Sequence, residues 1–207
     1  MNRLGGIAIG MATALVIVAV AIVPFLTPIW LGFAQDRAAV TAWTGWPEAD
    51  IRAATSAIVG ELIAGNGDFD VRLQGASILN ERERAHMRDV RNVFRGFYVA
   101  SLLGVGVLAV GLRRNRSAGW RAVRAGATGL AAALVVAGVV VAVAFDAAFA
   151  AFHALFFPAG TWTFDPRTDR LVQLFPDQLW VETTFAVGVV GVVLALGVAR
   201  FAVHRAR

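Results

Sequence analysis

Two histidines stand where a proton could be moved. His86 lies in "NERERAHMRDVRNVFRGFY", with Glu83 and Asp89 each three residues away. That spacing is about one helical turn, from which a carboxylate can hold an imidazole tautomer or raise its basicity. His153 lies in "AFHALFFPAGTWTFDP". Phe149, Phe152, His153 and Phe156 share one helical face there, and Asp146 sits on the same face two turns earlier. An acid at the edge of an apolar span is costly enough to mark a functional candidate. Imidazoles titrate near pH 6.5 when unperturbed, which suits acid and base work at neutral pH. Each histidine also has a plainer reading. His86 can pack on a salt-bridged surface helix, and the aromatic rings around His153 can form an interfacial belt without chemistry.

Other chemistry has less support in the sequence. There is no cysteine, which excludes disulfides, thiol nucleophiles and Cys-ligated metals. Ser56, Ser77, Ser101 and Ser117 have no nucleophile motif around them. A metal-dependent membrane hydrolase could use His86 and His153 with Asp89, Asp146 or Asp169, although this spacing is not diagnostic. A lipid-binding module without catalysis would also account for the aromatic rings. The third histidine, His204, falls in a basic tail and reads as solvated.

The elements that position these residues are membrane helices. The 207-residue chain is 58% hydrophobic with mean hydropathy +0.67, beyond a soluble domain's usual share. Four segments carry no charge: Leu4 to Ala34, Gly96 to Leu112, Ala125 to Phe145 and Thr183 to Ala199. Each approaches or exceeds the ~20 residues a spanning helix needs. The first outruns the ~7–15 apolar residues of a secretion signal and reads as a retained helix, bent or ended near Pro24 and Pro28.

Charge orients the four spans. Arg3, the link with Arg113, Arg114, Arg116, Arg121 and Arg124, and the tail with Arg200, Arg205 and Arg207 carry nine positive charges and no acid. The two other loops hold all 14 acids and 10 arginines, so they sum to minus four. Cytoplasmic segments keep the arginine excess, so both termini are expected to be cytoplasmic and both candidate histidines extracytoplasmic. The basic link is short and lies against the membrane, so nucleic acid is not an expected partner.

The predicted fold is an all-α membrane protein, four transmembrane helices with a mainly helical extracytoplasmic cap. Residues 1–34 form the first span and 35–95 a cap with amphipathic helices. Residues 96–112 form the second span, 113–124 the cytoplasmic link, and 125–157 the third span with an outer extension. An outer loop, 158–182, precedes the fourth span and tail, 183–207. Within the cap, Pro47 to Ala64 puts Ile51, Ile58 and Leu62 on one face, as an amphipathic helix on the membrane surface would. Phe69 to Leu73 alternates weakly, like a short strand. Asn80 and Glu83 have the spacing of an N-terminal capping box. From there a stripe of His86, Val90, Val93, Phe94 and Phe97 continues without a breaker into the second span. A small β-hairpin is expected where "TWTF" and "RLVQLF" flank Asp165 to Asp169.

Two stretches carry a resemblance. "ERERAHMRDV", Glu81 to Val90, and "FHALFFPAGTWTFDPRTDRLVQLFPDQLW", Phe152 to Trp180, resemble the two histidine motifs of the lipoprotein intramolecular transacylases, four-span membrane enzymes of Gram-positive bacteria. The resemblance implies transfer of the sn-2 acyl group of a diacylglyceryl lipoprotein to the α-amino group of its own N-terminal cysteine, giving a lyso-form product. It implies diacylglyceryl lipoproteins and membrane lipids as partners, and no cofactor or metal. His86 and His153 would be the catalytic pair, with His86 favoured as base and His153 as acid or oxyanion donor, and the exchanged roles left open. Glu83, Asp89 and Asp146 would support them, and Phe149, Phe156, Phe157, Trp162 and Phe164 would line the acyl site.

Overall fold

The computed structural model describes residues 2–206. Met1, at the head of the first span, and Arg207, counted with the tail charges, lie outside the described residues. Four helices are long and apolar enough to cross a membrane. Helix α1 spans Arg3–Ile22 and is followed by a 3-10 turn at Val23–Leu26, which carries Pro24. Helix α2, Pro28–Arg37, restarts with Pro28 in its first turn and Thr27 as its cap. Proline fits there because a first-turn N–H has no helical acceptor, so the expected break falls between these two prolines.

Three further helices are long: α5 (Glu81–Arg114), α6 (Arg116–Phe156) and α8 (Asp177–Arg205). At 1.5 Å per residue, the 34 residues of α5 measure about 51 Å, more than the ~30 Å of hydrocarbon in a bilayer. Its charged first turns, Glu81 to Arg95, therefore stand outside the apolar run of 96–112. Helix α6 is interrupted at Ala144 (φ −149°, ψ 50°). No proline or glycine lies beside that residue to impose the kink.

The chain divides into two compact units. One comprises residues 1–23, 95–143 and 185–207, and is built from α1 with the apolar parts of α5, α6 and α8. Its buried contacts are small: Ala122, Ala127, Ala131, Ala195 and Ala202 pack with Ile9 and Ile17. Gly10 and Gly126 bring α1 and α6 together so closely that a Cβ on Gly126 would strike the backbone of Gly10. Small residues that let helix backbones approach are the usual packing device where lipid replaces water.

The second unit, residues 24–94 and 144–184, holds a larger core. Helix α4 (Glu48–Ile63) buries Ile51, Ile58 and Leu62 against Leu31, Phe69, Leu174 and Leu179. Its apolar face thus meets protein, not the membrane surface expected from its amphipathic pattern. The buried Gln35 donates from Nε2 to Thr55 Oγ1 (2.8 Å) and to the Leu174 carbonyl (2.9 Å). That side chain joins α2, α4 and α7 (Arg170–Leu174). A short helix, α3 (Val40–Thr44), completes the helical part.

The hairpin forms elsewhere than expected. Strands β1 (Arg72–Leu73) and β2 (Ala76–Ser77) pair antiparallel around Gln74 and Gly75, both with positive φ, as a tight two-residue turn requires. The alternation starting at Phe69 is misleading, because Phe69 itself adopts a left-handed conformation (φ 63°). Between Thr161 and Phe175 there is no β-ladder among the described residues. The Thr168 and Asp169 N–H groups donate to the Asp165 carbonyl, and the Leu171 N–H donates to Glu83. Donors committed in this way cannot pair strands.

Candidate active site

Helix α5 begins as the capping box suggests: Asn80 Oδ1 accepts from the Glu83 N–H (3.0 Å), and Glu83 Oε2 accepts from the Asn80 N–H (2.7 Å). His86 follows one turn later and is buried. His153 comes from the last turn of α6. The two imidazoles lie with ring centroids 6.1 Å apart and planes 25° from parallel.

An aromatic wall surrounds the pair. Phe157 touches both, at 4.9 Å from His86 and 5.5 Å from His153. Phe164 stands 5.5 Å from His86, Trp162 5.0 Å from His153, and Phe149 4.0 Å from His153. Phe156 has a different neighbour. It pairs with Phe152 at 4.9 Å, and both side chains are exposed. The column beside the histidines is thus Phe149, His153 and Phe157, each four residues apart, with Phe152 and Phe156 in the next column.

A hydrogen bond sets the state of one ring and burial that of the other. His153 Nδ1 lies 2.8 Å from the Phe149 carbonyl oxygen. A carbonyl only accepts, so this contact places the proton on Nδ1 and leaves the lone pair on Nε2. His86 Nδ1 is buried without a hydrogen-bond partner. Burial pushes the His86 imidazole down to about 4, His153 adds to that lowering, and the charge of Asp89 opposes it. His86 is therefore neutral at pH 7.

None of the three carboxylates hydrogen-bonds an imidazole. Glu83 is buried with both oxygens engaged, one by the Asn80 N–H and the other by the Leu171 N–H at 2.6 Å. Burial raises its carboxyl, while those two backbone donors favour the charged form. Asp89 influences His86 through charge and makes no hydrogen bond to it. Asp146 is exposed.

A carboxylate weighed only as a metal ligand has a structural post instead. Asp169, buried, accepts from Asn80 Nδ2 (2.9 Å), Arg82 Nη2 (2.8 Å) and the Asp165 N–H (2.8 Å). The same Arg82 guanidinium lies 5.1 Å from the centre of the Phe164 ring. Asn80, Arg82, Glu83 and Asp169 together fasten residues 164–171 onto the head of α5, beside His86. Only the capping pair signalled this in the sequence. Asp165 sits at the surface of the same turn, and the Arg167 guanidinium holds its carboxyl at about 2.

The family model of lipoprotein intramolecular transacylase Lit matches residues 7–180. The chain belongs to that family. Among solved structures, the protein is similar to the membrane integral lipoprotein intramolecular transacylase Lit from Bacillus cereus, with a TM-score of 0.79 at 20% identity, covering 99% of this chain and 96% of that one. Two histidine variants of the same Bacillus cereus transacylase match with TM-scores of 0.78 and 0.75 at 17% and 19% identity. Each covers 99% of this chain, and 93% and 92% of the other. At such identity they establish the shared fold. No curated protein matches by sequence. As a member of the transacylase family the protein is an integral membrane enzyme, and the expected four-span helical fold is the one found.

Proposed function

We propose that this transacylase moves the sn-2 acyl group of a diacylglyceryl lipoprotein onto the α-amino group of that lipoprotein's own N-terminal cysteine, with His86 and His153 as the catalytic pair. The observation that carries the assignment is the facing of the two imidazoles, 6.1 Å apart inside a wall of aromatic rings. The amine nitrogen attacks the ester carbonyl, an N–C bond forms, and the bond from that carbon to the sn-2 oxygen breaks. One proton leaves the amine and one arrives on the departing oxygen, so the step needs no co-reactant.

The hydrogen bond at His153 favours a reversal of the roles expected from sequence. With its proton held on Nδ1 by the Phe149 carbonyl, Nε2 is free to accept the amine proton and pass it to the sn-2 oxygen. His86, neutral in its buried setting, donates a hydrogen bond to an ester oxygen, as a neutral imidazole can in carbonyl chemistry. Ester and amine belong to one molecule, so positioning does much of the work; holding them in near-attack geometry can supply about 7–11 kcal/mol. Phe149, Phe157, Trp162 and Phe164 are the acyl-facing surfaces in this reading. Asp89 tunes His86 by charge, and Asp146, exposed on the outer part of α6, keeps a supporting role.

The same reading places residues 35–95 and 158–182 outside the cell and both termini in the cytoplasm, because nine arginines without an acid mark the opposite side. Diacylglyceryl lipoproteins and membrane lipids are the partners. The donors that a metal hydrolase would need do not converge: no three His, Cys, Asp or Glu side chains gather at one point among the described residues.

Mass spectrometry tests the reaction. Intramolecular transfer adds and removes no atoms, so substrate and product lipopeptides have equal mass and differ in fragmentation and in a blocked amine. A gain of one acyl chain would mean intermolecular transfer, and a loss would mean hydrolysis. Either result overturns the reading.

A further inference from the structure

The imidazoles account for the protons of this reaction, and His86 gives the ester one hydrogen bond, but the charge that builds on the carbonyl oxygen when the amine adds is best held by more than one donor. Trp162 carries a donor without an assignment. Its indole lies 5.0 Å from the His153 ring and 34° from parallel to it, and its Nε1 is buried with no hydrogen-bond partner. An indole nitrogen is a donor only, and buried N–H groups in folded proteins nearly always find an acceptor. The N–H direction lies in the indole plane. Because that plane is close to the imidazole's, the bond is not spent on the face of His153. The other rings against His153 are Phe149, Phe152 and Phe157, whose side chains hold no acceptor atom.

We infer that Trp162 Nε1–H donates to the carbonyl oxygen of the sn-2 ester and holds the oxyanion as the amine adds, which makes Trp162 a catalytic residue and not only a wall of the acyl site. Amine addition converts the C=O to a C–O⁻ and places its electron pair on that oxygen. Collapse returns the pair and expels the sn-2 oxygen with the proton carried by the histidines. A donor fixed in a water-poor site is more effective toward a developing anion than toward a neutral carbonyl. The inference rests on the transacylase reading above and adds to it a donor for the oxygen that receives the charge.

The experiment is W162F, which keeps an aromatic ring and deletes the N–H, with W162H as the variant that restores one. Full-length protein in lipid nanodiscs is given a diacylglyceryl lipopeptide, and equal-mass product is followed by fragmentation. The expected result is a fall in kcat of about 100-fold to 1,000-fold for W162F, the range for losing one oxyanion donor, with KM changed less than about twofold and partial recovery in W162H. A lipopeptide whose sn-2 carbonyl is replaced by a phosphonate, an anionic tetrahedral mimic, should lose affinity for W162F in the same proportion while diacyl substrate binding holds. The ratio of the two affinities within one variant does not depend on the fraction folded. An unimpaired kcat in W162F, or equal weakening of both ligands, overturns the inference alone. A wild-type protein that makes no equal-mass product overturns it together with the transacylase reading.

Discussion

Glu83→Ala separates a structural tie from a catalytic aid. One carboxylate oxygen accepts from the Leu171 N–H inside the protein, and the other accepts from the partly buried Asn80 N–H at the head of α5. Truncation orphans both donors. A buried N–H left unpaired costs about 1–3 kcal/mol, and loss of a helix-capping interaction about 0.5–2 kcal/mol. Relief from burying a carboxylate, the main reason its carboxyl is raised, offsets part of the sum. The net expectation is a loss of about 1–4 kcal/mol. Glu83→Gln keeps one acceptor oxygen and should fall between wild type and alanine. The readout is the midpoint of unfolding in mixed micelles titrated with sodium dodecyl sulfate, followed by loss of helical circular dichroism, beside the rate of product formation. Glutamine should retain substantial activity with an unchanged pH profile, because Glu83 makes no hydrogen bond to His86. An alanine variant as stable as wild type but as inactive as His86→Ala would refute the reasoning, since it would put Glu83 in the chemistry.

Four further outcomes are expected. His86→Ala and His153→Ala should each lower the rate at least about 100-fold, the lower end for losing a general acid or base, while His204→Ala stays near wild type; an inactive His204 variant would undo the proposed topology. Asp89→Asn should lower the rate less than His86→Ala, because it removes only a charge that favours protonated His86; equal losses would mean a closer role. For pH, His86 falls from 6.5 unfolded to about 4 folded, so the folded state binds fewer protons between those values. The stability linked to this residue is then present above pH 6.5 and lost as pH falls toward 4. Its neutral form persists through that window, so activity should follow the substrate amine near 8 with no limb from His86 near 6.5; a limb there that vanishes when His86 is replaced would contradict the buried, neutral state. Gly126→Ala should destabilise the protein, because its new methyl group meets the Gly10 backbone, whereas Gly129→Ala has open space and should be silent; equal melting of the two would remove the close-packing argument.

Much of this fold was legible because local signals agreed with tertiary ones. Charge-free runs marked the four long helices, prolines marked the break after α1, and Asn80 with Glu83 marked the start of α5. The facing of His86 and His153 was legible from their position on opposite ends of two long apolar helices. What escaped is what depends on partners distant in sequence. The Glu83 oxygen that receives the Leu171 N–H reaches across 88 positions, and no spacing rule reveals that. The face of α4 is equally apolar whether a membrane or Leu174 and Leu179 covers it. At the end of α6, a helical wheel groups Phe156 with His153, but the next residue, Phe157, packs on both imidazoles as the chain leaves the helix. The His153 tautomer follows from a rotamer that brings Nδ1 to the carbonyl four residues back.

The fastening of residues 164–171 to the head of α5 bears on how members of this family can be recombined. Asn80, Arg82 and Glu83 on one side match Asp169 and the Leu171 backbone on the other, so neither histidine motif is a free-standing cassette. A chimera that imports the second motif from a distant relative while keeping the native first one would set foreign side chains against Asn80 and Arg82. Compatible parents should exchange 80–86 and 153–171 as a pair, even though more than sixty residues and two long apolar helices separate them in the chain.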